Sequence, residues 1–346
     1  EGGVYMFSKD ETLKMLTNCE IPVINPSTNY WFIRTNGGDN FENFYFGQYV
    51  AIGWDKINDL DSIKYCSLND LKDEIIKSYP DDSKPGSTAS QIMRFVNDMK
   101  IGDYVLVPGA NCDRIAIGQI TSEPYIYKAS EQERIDVMFF DGEISYLKRR
   151  NVKWIANRPF ERRELDPMLI PIIYSYGTIV NANPYSGFIN RTLYSCYIQG
   201  KEMHAIFDVT TTQNIAAVDL YNFIDSIFES ADIYSELYNV PIKKNEFSIK
   251  ATINSPGPVE IITCAAGAFI LLASLSLFIN GAKAKFSFDI FNVVKGNVDI
   301  DSPGLIDKIR DFKTIATENE IKLQKTQAKI EESRKKLKIK KKENKK

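Results

Sequence analysis

The feature that most constrains this chain is an uncharged apolar run from Ile261 to Ile279, which is 19 residues long. A helix that is apolar on every side cannot lie on a protein surface, because a surface helix needs a polar face. A bilayer is crossed by about 20 apolar helical residues, so the run is just long enough for a membrane span. Two alternatives follow: a helix buried in protein, at the centre of a homo-oligomer, or a helix inserted in a membrane.

The charges around this run argue against a simple span. The start of the chain, Glu1-Gly2-Gly3-Val4, does not resemble a secretory signal, so we expect a cytoplasmic protein that is membrane-associated only if the run inserts. A single span would then place Lys283, Lys285 and the basic end of the chain outside, against the positive-inside tendency. Both alternatives stay open.

Charge is unevenly distributed along the chain. Residues 334–346 contain nine Lys or Arg and one Glu, a net charge of +8. Because the whole chain carries −2, residues 1–333 carry −10. An acidic body is not a general polyanion binder, so a nucleic-acid site in it requires a local basic patch or a shaped pocket.

Several kinds of active site cannot be built from this sequence. The five cysteines are scattered without a CxxC pair, and His204 is the single histidine. A zinc site or a histidine-based catalytic triad is therefore excluded, and no phosphate-binding loop or dinucleotide fingerprint occurs. We expect no metal, no cofactor and no catalytic residue.

The first half of the chain alternates short strand patterns with two helical ones. Strands are predicted at 30–35, 49–54, 104–107, 115–120, 125–127, 135–140 and 152–155, and helices at 68–79 and 87–99. A closing helix is expected at 164–174. Short strands wrapped around one or two helices favour a small barrel over a parallel α/β sheet.

An ordered set of segments in this half resembles the N-terminal module of Mrr-like restriction proteins and, more distantly, the EVE and YTH branch of the PUA-like superfamily. The resemblance covers about residues 28–180. Its segments are Tyr30-Trp31-Phe32-Ile33-Arg34 with Gly37-Gly38, Ala51-Ile52-Gly53-Trp54, Gln91-Ile92-Met93-Arg94-Phe95, Met99-Lys100-Ile101-Gly102-Asp103, and Ile117-Gly118-Gln119-Ile120 with Tyr125.

This resemblance implies a barrel with an aromatic-walled pocket for a flipped, modified base. A base presents two π faces and a hydrogen-bonding edge, so such a pocket needs aromatic walls and a few fixed polar groups. The candidate ligand-binding residues are Trp31, Arg34, Asn36, Trp54, Gln91 and Arg94. The alternative for the two tryptophans is burial in the barrel core, and for Arg94 a structural ion pair or a phosphate contact.

The Mrr-like resemblance also raises a nuclease, and here the chain departs from the pattern. Those enzymes place an Asp, and then a Glu or Gln followed one residue later by Lys, on adjoining strands to hold a metal ion. The candidate triplets, Asp311-Phe312-Lys313 and Glu320-Ile321-Lys322, lie in a predicted helix. A restriction-nuclease-like enzyme is therefore the third hypothesis.

The expected fold class is α+β. A PUA-like (EVE-like) β-barrel with helices is followed by a small α/β region, an apolar helix and a long C-terminal helix that carries a weak coiled-coil stripe (Ile309, Ala316, Leu323, Ile330, Leu337). The predicted divisions are an N-terminal segment at 1–27, the reading domain at 28–180, a small α+β domain at 190–255, the apolar helix with strands at 256–302, and the long helix with its basic tail at 303–346.

These observations favour a non-catalytic protein that senses a modified base in nucleic acid, or a nucleotide ligand. The resemblance adds an anti-phage or restriction-type setting, in which ligand occupancy would bias an oligomeric or membrane-acting C-terminal half. The second hypothesis is a structural or membrane-anchored assembly protein whose barrel lacks a ligand pocket.

Overall fold

The computed structural model describes residues 21–131, 133, 145–210, 215–238, 242–251, 257–279 and 324–339. The chain divides into two compact units. One runs from Ser27 to Thr192, and the other combines the segment that ends at Pro26 with the chain from Leu193 onward. The fold is α+β in both.

The described residues form thirteen strands, which are short except in the middle of each sheet. They are β1 (Val23–Ile24), β2 (Tyr30–Ile33), β3 (Tyr49–Ile52), β4 (Tyr104–Pro108), β5 (Arg114–Ile120), β6 (Tyr125–Ile126), β7 (Lys148–Trp154), β8 (Phe160–Glu161), β9 (Ile179–Asn181), β10 (Cys196–Gln199), β11 (Glu202–Val209), β12 (Phe247–Ala251) and β13 (Gly257–Thr263).

Nine helices occur in the same residues, besides short 3-10 turns and one π-helical turn at Arg94–Asp98. They are α1 (Phe41–Gly47), α2 (Leu60–Tyr65), α3 (Leu68–Ser78), α4 (Pro85–Met93), α5 (Ile170–Ile173), α6 (Ser186–Leu193), α7 (Ala217–Tyr238), α8 (Ala266–Ile279) and α9 (residues 324–337).

The first unit is built on a curled, eight-stranded half-barrel. Its main path runs β3-β7-β5-β4-β2-β9, with β6 paired to β7 and β8 paired to β5. The central strand β2 is apolar throughout and all four of its residues are buried, as expected for a strand covered on both faces. It pairs in parallel with β4 and antiparallel with β9.

Helix α3 shows why the helices of this unit begin and end where they do. Ser67 and Asp70 form a reciprocal capping box, which satisfies two backbone N–H groups at the start. Leu71 and Ile75, four residues apart, are the buried face. Pro80 follows the last turn and stops the helix, so the chain turns away at Tyr79.

Some sequence predictions in this unit need correction. The helix predicted at 87–99 begins at Pro85 and is α-helical to Met93, after which the π turn follows. The closing helix predicted at 164–174 is broken into 3-10 turns and the single turn α5, because Pro167 and Pro171 interrupt it. The strand predicted at 135–140 lies outside the described residues.

The second unit is a five-stranded sheet in the order β1-β10-β11-β13-β12, with helices packed on one face. Alternate residues of β10 and β11, among them Ile198, Ala205 and Phe207, point to the same core as residues of α7 and α8. A division at residues 255 and 256 would cut through this sheet, because β13 lies between β11 and β12. The short β1 also belongs to it, through a parallel pairing with β10.

The apolar run does not form the 19-residue helix that its length predicted. Its first residues, Ile261 to Thr263, end strand β13, and the helix α8 covers only the 14 residues from Ala266. Leu271, Leu272 and Ile279 are buried in the core that the sheet and helices of this unit share. None of the helices in the described ranges is long and apolar enough to cross a membrane. The described side chains of α8 are all buried, and homo-oligomerisation stays a prediction.

The stripe predicted on the long C-terminal helix can be followed over α9. Ile330 and Leu337 are buried, and so are the polar Thr326 and Ser333, which occupy the companion position of the heptad. This stripe packs into the core of the second unit. The earlier stripe positions and the two nuclease-like triplets lie outside the described residues.

Candidate functional site: a cavity beside Trp54

The six residues predicted to bind a ligand do not form one site. Trp31, in the middle of β2, is only 4% exposed and belongs to the core of the half-barrel. Its indole N–H donates to the buried Asp103 at 2.9 Å. Both indole faces are packed in the interior, so the structure places Trp31 as a core residue and not as a wall for a planar ligand.

Arg34, Gln91 and Arg94 all bond to one backbone segment, residues 173–179. Arg34 donates to the carbonyl of Ile173 at 3.0 Å and to that of Ser175. The Gln91 side-chain oxygen accepts from the backbone N–H groups of Thr178 and Ile179.

Arg94 completes the set by donating to the carbonyl of Ile179 at 3.3 Å. These three polar side chains therefore fix the path of a loop into β9, a structural role that their sequence positions did not reveal.

Asn36 belongs to the turn after β2. Its backbone is in the left-handed region at φ 53°, and its side-chain amide donates to Asp39 at 3.1 Å. Asparagine tolerates this conformation better than most residues, so Asn36 is explained by the turn that it forms.

Trp54, unlike the other five, is part of the lining of a cavity that the described residues form beside β3. The cavity has a volume of about 370 Å³ and lies where the chain leaves β3 and where α3 ends. Trp54 and Tyr79 are its aromatic side chains, and both are half-buried. Its polar side chains include those of Lys56, Asp81, Asp82 and Thr88.

The backbone of Trp54 is strained. Its φ is 58°, a region that bulky residues rarely adopt and that costs about 1–3 kcal/mol. Two donors hold the Trp54 carbonyl: the N–H of Ile57 at 3.0 Å and the Nζ of Lys148 at 2.8 Å. The fold therefore maintains this conformation through specific bonds.

Lys148 is the main anchor of the loop that carries Trp54. Its side chain is fully buried, and its Nζ also donates to the Ile57 carbonyl at 2.8 Å. Burial lowers the pKa of Lys148 to about 8, and Asp55, at 3.8 Å, opposes that change. Asp55 in turn accepts from the backbone N–H groups of Tyr146 and Leu147, each at 2.8 Å.

Tyr79 is fixed against the same loop. Its hydroxyl oxygen accepts from the backbone N–H of Lys56 at 2.8 Å. The Lys56 ammonium lies 5.3 Å from the centre of the Tyr79 ring and donates to the Ser78 carbonyl at 3.2 Å. Burial raises the pKa of the Tyr79 phenol, so it keeps its proton at neutral pH.

The remaining polar side chains make the cavity slightly acidic. Thr88 donates to one oxygen of Asp82 at 2.6 Å, and the backbone N–H of Lys84 donates to the other at 2.8 Å. Asp81 is exposed at the rim. With Lys56 and these two carboxylates as its ionisable side chains, the lining carries a formal charge of −1.

This arrangement can hold a ligand. Within the part of the chain that the structure describes, no group of three His, Cys, Asp or Glu side chains is placed to bind a metal ion. The lining supplies aromatic surface, hydroxyl groups, two carboxylates and an ammonium. These groups favour a planar ligand that has hydrogen-bond donors on its edge.

Sequence reasoning missed most of this cavity. The predicted helix at 68–79 ends next to three of the lining residues, Tyr79, Asp81 and Asp82. The sequence pattern assigned Pro80 only the role of ending that helix. Lys56 and Thr88 come from two other segments. The one usable signal was the density of aromatic and acidic residues just after α3.

Comparison with known proteins finds a similarity to one family over part of the first unit. Residues 31–168 match the model of a family described as a domain of unknown function (DUF8426), and Trp54, Tyr79 and Thr88 lie inside the matched region. The chain has no match among the curated proteins or the solved structures.

Proposed function

We propose that residues 27–192 form a non-catalytic binding module that accepts a planar group of nucleobase size in the cavity between Trp54 and Tyr79. The observation that carries this proposal is the strained Trp54, which the buried Lys148 holds half-exposed against a cavity. Strained backbone that is held by specific bonds clusters at functional sites.

The size and walls of the cavity support a base. A volume of about 370 Å³ is at the lower end of small-molecule sites, which span about 300–1,000 Å³. Aromatic side chains bind bases through their π faces, and each stacking contact is worth about 1–3 kcal/mol. Trp54 and Tyr79 provide such faces.

The polar groups of the lining suit the edge of a base. Carboxylates accept hydrogen bonds from exocyclic amino groups, as Asp and Glu do from cytosine N4. Asp81 and Asp82 are the acceptors in this cavity, and Lys56 is the donor. A modified base in nucleic acid, or the base of a nucleotide, is the ligand class that we propose.

The resemblance to PUA-like and EVE-like modules is part of the same proposal. The curled half-barrel agrees with it at the level of architecture. The resemblance also supplies the setting, an anti-phage or restriction-type system.

A nucleoside binding titration tests the proposal. The full chain is titrated with unmodified and modified nucleosides, and Trp54→Ala is compared with Trp154→Phe, which changes a tryptophan that does not line the cavity. Loss of one stacking face predicts about tenfold to hundredfold weaker binding for Trp54→Ala and little change for Trp154→Phe. The proposal fails if no nucleoside binds at millimolar concentration, or if both variants bind as the parent does.

A further inference from the structure

Strands β3, β7 and β6 share an outer face that the proposed cavity does not use. On β7, Lys148, Arg150 and Val152 point inward and are buried, so Arg149 and Asn151 point to the other side. Tyr49 of β3 lies opposite Asn151, and Tyr125 of β6 lies opposite Arg149.

Arg149 is held between two tyrosine rings on this face. Its guanidinium carbon is 4.2 Å from the centre of the Tyr49 ring and 3.5 Å from that of the Tyr127 ring. Its Nε donates to the Tyr146 carbonyl at 3.0 Å. A guanidinium that is stacked on both faces presents its remaining N–H groups along its edges, the geometry that binds phosphate oxygens.

We name the four residues Tyr49, Tyr125, Tyr127 and Arg149 the tyrosine–arginine ridge. All four are half-buried, so part of each side chain is open to solvent. The Tyr125 hydroxyl donates to Asn151 at 2.7 Å, which fixes that ring on the face. Lys153, on the same side of β7, is exposed.

The ridge and the cavity are joined by one short chain of contacts. Tyr146, which accepts from Arg149, donates its backbone N–H to Asp55, the residue after Trp54. Strand β3 carries Tyr49 at its start and leads directly into Gly53 and Trp54. A ligand that spans both would follow β3.

The cavity and the tyrosine–arginine ridge differ in the sign of their charge. The cavity lining carries −1 and repels a phosphate, whereas the ridge offers the guanidinium of Arg149. Among the described residues, Glu133 places a carboxylate beside the ridge, where it accepts from the Tyr127 hydroxyl at 2.6 Å. That hydrogen bond is the main reason why the pKa of Glu133 is lowered to about 2, so Glu133 stays ionised and competes with a phosphate.

We infer that the tyrosine–arginine ridge binds the phosphate and neighbouring bases of a single nucleic-acid strand whose extruded base enters the Trp54 cavity. This inference rests on the proposed function and narrows it from free nucleotides to a strand. Three tyrosines are more stacking surface than a mononucleotide requires, since each base occupies about one aromatic partner.

The test compares a nucleoside with a short single-stranded oligonucleotide that carries the same base, at about 50 and about 200 mM salt. The full chain is compared with Arg149→Met, and with Arg163→Met as a matched control, because Arg163 is a largely exposed arginine paired to Glu161. We expect the oligonucleotide to bind at least about tenfold more tightly than the nucleoside. Arg149→Met should remove about that gain and reduce the salt slope by about one, and Arg163→Met should change neither.

A second variant protects the test against a folding defect in Arg149→Met. Glu133→Gln changes an exposed side chain, so the fold is retained, and it removes the competing carboxylate. We expect it to strengthen oligonucleotide binding severalfold at low salt without affecting the nucleoside.

Two failures can be told apart. If the nucleoside binds and the oligonucleotide binds no more tightly, or if Glu133→Gln and a folded Arg149→Met leave the oligonucleotide affinity unchanged, the ridge inference is overturned and the base cavity stands. If neither ligand binds, the proposed function falls and the inference falls with it.

Discussion

Two tryptophans of the first unit, one inside β2 and one just after β3, have opposite roles. In β2, Trp31 has regular strand geometry, is 4% exposed and donates its indole N–H to Asp103. Just beyond β3, Trp54 has a left-handed backbone, is half-buried and lines a cavity. The comparison teaches that the backbone conformation, and the bonds that hold it, decide whether a tryptophan supports the core or faces a ligand.

The largest expected effect lies on the Trp31 side of this comparison. Trp31→Ala should lower the free energy of unfolding by about 3–5 kcal/mol, because it empties a core position and leaves Asp103 without one donor. Trp54→Ala should lower it by about 1 kcal/mol or less, since its ring is half-exposed and its conformation is strained. Chemical denaturation of both variants measures the difference. Equal losses would mean that Trp54 is also a core residue.

An effect of intermediate size on stability is expected from Lys148, which anchors the Trp54 loop. The pKa of Lys148 is lowered by burial to about 8 in the folded protein, against 10.5 in an unperturbed lysine. Between these pH values the unfolded chain holds a proton that the folded chain has released, so stability rises with pH. We expect the free energy of unfolding to rise by about 1–2 kcal/mol between pH 8 and about 9.5. This range lies below the pH at which tyrosines ionise.

Denaturation across this pH range in Lys148→Met is the control. The variant has no titrating group at this position, so the increase should disappear even though the baseline stability differs. An unchanged pH dependence in Lys148→Met would assign the effect to another group and would leave the Trp54 loop without its proposed anchor.

The smallest expected effect comes from comparing glycine with alanine at positions 54 and 31. Trp54→Gly relieves the strain of the left-handed conformation. We therefore expect Trp54→Gly to be as stable as Trp54→Ala, or more stable by about 0.5–1 kcal/mol. The matched change in β2, Trp31→Gly, should be more destabilising than Trp31→Ala, because a strand residue gains nothing from glycine. Thermal or chemical unfolding of the four variants shows whether the order inverts between the two positions.

Much of the local structure could be predicted from the sequence. The strand at Tyr30 follows from an apolar run that ends at turn residues, and α3 follows from the capping residue Ser67 and from Pro80. Helix α1 was missed because it is short and its sequence, Phe-Glu-Asn-Phe-Tyr-Phe-Gly, is rich in aromatic residues, which also suit a strand. The end of strand β13, Ile261 to Thr263, was assigned to the apolar helix, because an uncharged apolar run has no periodicity that separates strand from helix.

The candidate site was harder to predict than the fold. The sequence contains tryptophans and polar residues that suit a ligand site. The same residues are equally compatible with a structural role. Gln91 and Arg94 are used to hold residues 178 and 179, which lie more than 80 positions away in the chain. Trp54 faces a cavity because Lys148, far along the chain, fixes its carbonyl. Such long-range bonds cannot be inferred from local patterns.

The most direct test of the central claim follows the indole N–H signals of the three tryptophans by NMR during a nucleoside titration. Trp31 and Trp154 donate to Asp103 and to the Tyr45 carbonyl, at 2.9 and 2.7 Å, so both serve as internal references. We predict a saturable shift of the Trp54 signal, with the other two unmoved. A Trp54 signal that stays fixed at millimolar nucleoside, or three signals that move together, would contradict the account.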